Sequence, residues 1–279
     1  MPVGELDDLD TSLLSQGASI FTALSGTANV VMQLSRPEVG YGVKDSVVTE
    51  GSLFGNPSRR RRTTVAFLAV AVFGTAQERA AYRNAVNSSH ARVRNAPGTE
   101  PTYTAFDPQL QLWVGACIYK GFEEAREYTF GPLAGAEREE FYRQGAIFGG
   151  VLQMPPELWP ADRAAFETYW RSGLAEARID ASVAEYLHRV IRLEYLGRTI
   201  PAPVLRLRRW LVTGYLPAEL REQMGLSWTR SQERRFVRFN RGLGHVVRRL
   251  PPERRTWLFQ RSLADVRARH AAGGDLLGG

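Results

Sequence analysis

Cysteine is almost absent: Cys117 stands alone in 279 residues. That excludes an internal disulfide and any metal cage built from several thiolates. Lysine is nearly as scarce, since Lys44 and Lys120 are the only lysines among 36 basic residues, and arginine therefore carries the formal charge of +7. Long apolar runs are missing too. The stretch Val65 to Phe73 falls far short of the ~20 residues needed to cross a bilayer, so no transmembrane segment is expected. The opening MPVGELDDLD is acidic, opposite in character to a secretory leader, and a cytoplasmic protein is expected. Several catalytic signatures are also missing. There is no GxxxxGK[ST] phosphate loop, no glycine-rich dinucleotide turn, no HExxH and no nucleophile elbow. The four histidines, His90, His188, His245 and His270, are scattered rather than paired for a metal.

What the chain has in quantity is arginine and helical periodicity. Many arginines lie beyond Arg189, in VLRLRRW, RSQERRFVRFNR and VVRRLPPERR. Nucleic acid and an anionic membrane surface are the partners such charge suits. The arginines alternate with glutamate and apolar residues at helical spacing, as on a solvated helix face, and no nucleic-acid-binding signature accompanies them. No nucleic-acid partner is expected.

Apolar residues recur at helical spacing throughout, and no sustained strand alternation appears. Helices are expected over Leu13–Leu34, ending before Pro37, and through Val65–Phe73 to Gly74. Another opens at the Thr75–Glu78 capping box and runs to about Arg94. Asn95–Thr102 reads as a Gly/Pro loop. Asp107 caps the next helix, with Pro108 at its first position. Further starts fall near Ala136, Pro160, Ala181, Pro203 and Trp228, and a last helix ends near His270. The reading is all-α: one multi-helix domain over residues 1–270 and a flexible tail over 271–279.

One segment poses a chemical question. In RRRRTTVAFLAVAVFG, Arg59 to Gly74, four arginines and two threonines abut an apolar helix. Arg60 and Thr64 share a helical face, continued by Phe67, Leu68 and Ala71. His90 shares a face with Tyr82, Val86 and Val93. Spacing alone leaves two readings open for each: solvated charge or inward donor for Arg60, core histidine or ligand for His90.

Three stretches, RRRRTTVAFLAVAVFGT, SSHARVRN and YTAFDPQLQLWVGA, resemble in order and spacing the signatures of the MpaB-type oxygenase family, which is related to the latex-clearing proteins. FGPLAGAEREEFYRQ, MPPELWPADRAAFETYW and RRWLVTGYLPAELREQMGLSW extend the resemblance over roughly Leu13 to Pro252. It implies a globin-like helical core holding haem b noncovalently, with dioxygen and a small hydrophobic substrate, isoprenoid or aromatic, as reactants.

By the same resemblance His90 matches the axial iron ligand, in His90-Ala-Arg-Val93 with Asn95 where the family has glycine. Arg60 and Thr64 match its oxygen-side catalytic pair, and Arg62 is expected near the haem propionates. Thr63 stands where the latex-clearing branch has an iron-capping lysine, so an open sixth position is expected. Arg36 and Gly115 replace two histidines frequent in the family. Tyr103, Trp113, Phe166, Tyr169 and Trp170 either line a substrate pocket or, as such aromatics more often do, fill ordinary core. Two other function classes remain: a haem-binding sensor or electron-transfer protein without oxygenase turnover, and a haem-free arginine-rich scaffold for an acidic partner.

Overall fold

The computed structural model describes residues 3–46, 52–91, 93, 101 and 103–278. Their regular elements are helices, and no strand occurs among the described residues. In chain order these are α1 (Val3–Asp7), α2 (Ile20–Gln33), α3 (Pro37–Lys44), α4 (Pro57–Phe73), α5 (Ala76–His90), α6 (Pro108–Phe130), α7 (Gly135–Gly145) and α8 (Ile147–Val151). There follow α9 (Arg163–Glu176), α10 (Ala181–Ile191), α11 (Ala202–Tyr215), α12 (Ala218–Gln223), α13 (Arg230–Arg249), α14 (Pro252–Arg255) and α15 (Trp257–Ala271).

The long, buried α6 is the axis of the molecule, with α2, α8 and α13 packed along it. Asp107 starts it as expected, its carboxylate accepting from the backbone N–H of Gln109 and Leu110. Two glycines let neighbours approach closely. A side chain at Gly244 of α13 would sit 2.0 Å from the Tyr128 carbonyl oxygen, and one at Gly115 would sit 3.2 Å from the Gly149 backbone nitrogen of α8. Gly115 therefore occupies a backbone-to-backbone contact that leaves no room for the imidazole the family often places there. Arg36, the other departure, pairs with Glu176 at 2.9 Å and lies 5.0 Å from the Trp113 ring centre.

Two boundaries differ from expectation for local reasons. Leu14–Gly17 is a separate 3-10 turn, because Ser19 is extended and caps α2 by accepting from the Phe21 N–H. Helix α4 begins at Pro57, capped by Asn56, so all four arginines lie inside its first two turns. That end of a helix carries partial positive charge and disfavours cations. The C-terminal stretch compensates: Asp275 lies 3.6 Å from Arg59, and the Gly278 carbonyl accepts from Arg62 at 2.8 Å. Leu276 and Leu277 pack against the core beside these contacts, and α15 packs along α4.

Candidate cofactor site

The Thr75 capping box forms in full. The Thr75 hydroxyl accepts from the Glu78 N–H at 3.2 Å, and Glu78 accepts from the Thr75 N–H at 2.8 Å. From that start α5 runs to His90, which is its last residue rather than lying a turn inside it. Arg92 and Asn95, and most of the expected 95–102 loop, lie outside the described residues. Val93 accepts from the Ala105 N–H at 3.4 Å, bringing the Tyr103 segment back beside the end of α5. Tyr103 lies on α3 at Gly42, where a Cβ would come within 2.4 Å of its ring.

These connections gather groups from distant parts of the chain around one cation. The charge of Arg60 acts on His90, Tyr82, Tyr103 and Tyr186, which come from α5, the Tyr103 segment and α10. Arg60 and Thr64 are exposed, His90 is half-buried, and Phe67 and Leu68 continue their face half-buried. Tyr82 ties the two helices by donating to the Thr63 carbonyl at 3.1 Å.

His90 is the least satisfied group here. Burial, assisted by Arg60, pushes its pKa down from 6.5 to about 4. The C-terminal end of a helix would push the other way, so desolvation dominates and the imidazole is neutral at neutral pH. Among the described residues its Nδ1 is buried without a hydrogen-bond partner, and so is Oδ1 of Asn87, one turn earlier on α5. Buried polar atoms are rarely left unpaired. Two of them lie a turn apart on α5, and the charge of Arg60 bears on the imidazole. A neutral imidazole with an unengaged nitrogen is the donor that haem iron takes, so these residues fit a haem ligand site.

The remaining candidates are distributed differently. Thr64 donates its hydroxyl to the Arg60 carbonyl at 2.9 Å, and Thr63 does the same at 3.0 Å. Both protons are thus committed to the helix backbone, and the Thr64 oxygen faces outward as an acceptor. Arg62 is engaged by Gly278. Of the five aromatic candidates, Tyr103 alone belongs to the group around Arg60. Trp113, Phe166 and Trp170 are buried in a stack with Trp159 and Tyr142, and Tyr169 packs on its edge. Asn87, Tyr82 and Tyr186 were not foreseen as site residues. Asn87 had a signal, its spacing of three from His90.

The family model described as "ER-bound oxygenase mpaB/B'/Rubber oxygenase, catalytic domain" matches residues 15–249, and the chain belongs to this family of oxygenase catalytic domains. Among its relatives are two uncharacterized proteins, from Mycobacterium bovis and Mycobacterium tuberculosis. Each is 41% identical over 247 residues, covering 87% of this chain and 96% of the relative. No solved structure matches the chain.

Proposed function

We propose that the protein is a haem b-dependent oxygenase acting on a small hydrophobic substrate, with His90 as the axial iron ligand in a globin-like pocket. The observation that carries this reading is the half-buried, neutral imidazole of His90, its Nδ1 without a partner among the described residues and under the charge of Arg60, in a chain of oxygenase family. When bound, haem would supply dioxygen activation at its iron.

The protein's own residues supply the setting. His90 stays unprotonated because desolvation makes its charged form costly, so its lone pair is available above about pH 5. Arg60 is always charged and donates only, so it would stabilise negative charge developing beside it. Thr64 donates its hydroxyl to the Arg60 carbonyl, so its proton is committed to the helix backbone. Phe67 and Leu68 give the same face an apolar extension suited to an isoprenoid or aromatic substrate.

The test is an absorption spectrum of the protein titrated with hemin, beside His90→Ala. An intense Soret band in the parent, lost or displaced in the variant, supports the assignment. Absence of hemin uptake by the parent protein overturns it. Incubation of the reduced haem form in air with unsaturated terpenoids, followed by product analysis, separates oxygenase turnover from haem binding alone.

A further inference from the structure

Exposed apolar side chains concentrate where α13 ends and α15 begins. On α13, Phe236, Asn240, Gly244 and Val247 face the core. Beside that face runs a second stripe, Phe239, Leu243, Val246 and Leu250, at i, i+4, i+7 and i+11. Leu243 is half-covered against Phe21 and Val247, whereas Phe239, Val246 and Leu250 are 39%, 57% and 36% exposed. A turn later come Trp257 at 57% and Leu258 at 36%. Such side chains cost free energy in water, at roughly 25 cal/mol per Å2 of apolar surface.

The charge of this corner is one-sided. Between His245 and Arg261 there are five arginines, Arg248, Arg249, Arg254, Arg255 and Arg261, against one acid, Glu253. None of the five takes part in an ion pair among the described residues, whereas Arg189, Arg192 and Arg267 on other surfaces each hold a carboxylate. Arg261 lies 5.6 Å from the Trp257 ring centre, and Arg255 lies 4.9 Å from that of Phe130.

We infer that this corner docks onto an anionic lipid bilayer, with Trp257, Leu250 and Val246 entering the interface and the arginines meeting lipid phosphates. Tryptophan at an interface and arginine at its edge are what a headgroup layer accommodates. Each basic side chain near an anionic surface strengthens the attachment, an effect that salt screens. A polyanion such as nucleic acid would use the arginines but leave valine and leucine in water. A second copy presenting the same corner would bring five like charges face to face. No helix of the described residues is long and apolar enough to cross a membrane, so the attachment is to the surface. It is independent of the haem assignment.

The experiment is co-sedimentation of the full chain with phosphatidylcholine vesicles, with and without about 30% phosphatidylglycerol. Two variants, Trp257→Ser/Leu250→Ser and Arg254→Gln/Arg261→Gln, are run alongside, with melting temperature as the folding check. The expected result is binding to the anionic vesicles only, weakened by salt and reduced about tenfold or more in each variant. Equal binding to both vesicle types, or no binding, overturns the inference. So does undiminished vesicle binding by the serine variant. Capture by heparin that survives the serine substitutions, without vesicle binding, would assign the corner to a polyanion. Dimerisation lost in the variants, without vesicle binding, would assign it to self-association.

Discussion

Asn87 and His90 place two buried polar atoms, unpaired among the described residues, one turn apart, and each such atom costs about 1–3 kcal/mol. A site that awaits a ligand should therefore be a weak point of the ligand-free protein. His90→Phe is expected to leave the melting temperature of the hemin-free chain unchanged or raise it, while abolishing hemin uptake. A large drop would mean that the imidazole serves packing instead, and differential scanning calorimetry distinguishes the two. The depressed pKa gives a second expectation. The folded ring binds its proton less readily than the unfolded one, so stability from neutral His90 is present above pH 6.5 and lost as pH falls toward 4. Arg60→Ala should move the folded value upward, but only partly, because burial is the larger cause. Titration of the ring by NMR reads this directly.

Within helices, the stops, starts and faces were legible because they are local chemistry. Asp107 and the Thr75–Glu78 pair announce their helix starts through side chains that reach only three residues, and the 60/64 spacing puts both groups on one face. The direction of that face was not legible. It depends on Gly42 admitting the Tyr103 ring, on Val93 engaging Ala105, and on α10 presenting Tyr186, all set by contacts between distant segments. The aromatic candidates stayed ambiguous for the same reason: aromatic spacing on α6 and α9 is the same for a pocket wall and for a packed stack.

The element that braces α6 against α9 is a buried ion pair, Arg163 with Glu123 at 2.9 Å, joined by Lys120 and the Tyr119 hydroxyl. Burial pulls the Glu123 pKa up, but Lys120 and Arg163 outweigh it and hold the carboxyl below its ordinary value. The stabilisation is thus present above the ordinary carboxyl range and lost as pH falls through the lower folded value. Arg163→Met alone should cost about 3–5 kcal/mol, whereas Arg163→Met with Glu123→Leu should recover most of it. Urea denaturation of both variants checks this. Likewise, Gly244→Ala should cost about 1–3 kcal/mol or more by forcing α13 off the Tyr128 carbonyl. Gly115→His, which restores the residue frequent in the family, should destabilise rather than improve the enzyme.

At the scale of the whole molecule, the last residues are tied back to the start of the arginine helix. Removing residues 272–279 takes away the Arg62 and Arg59 contacts and the packing of Leu276 and Leu277. It should lower the melting temperature by several degrees, and thermal melts of the shortened and complete chains measure the difference.

The family model's match ends at residue 249, yet the helix that packs along α4 comes later. Evolutionary kinship and mechanical integrity therefore have different borders. A chain trimmed to the shared region would bare the apolar flank of the segment carrying Arg60 and Thr64, and should be recovered as aggregate rather than as a smaller working enzyme.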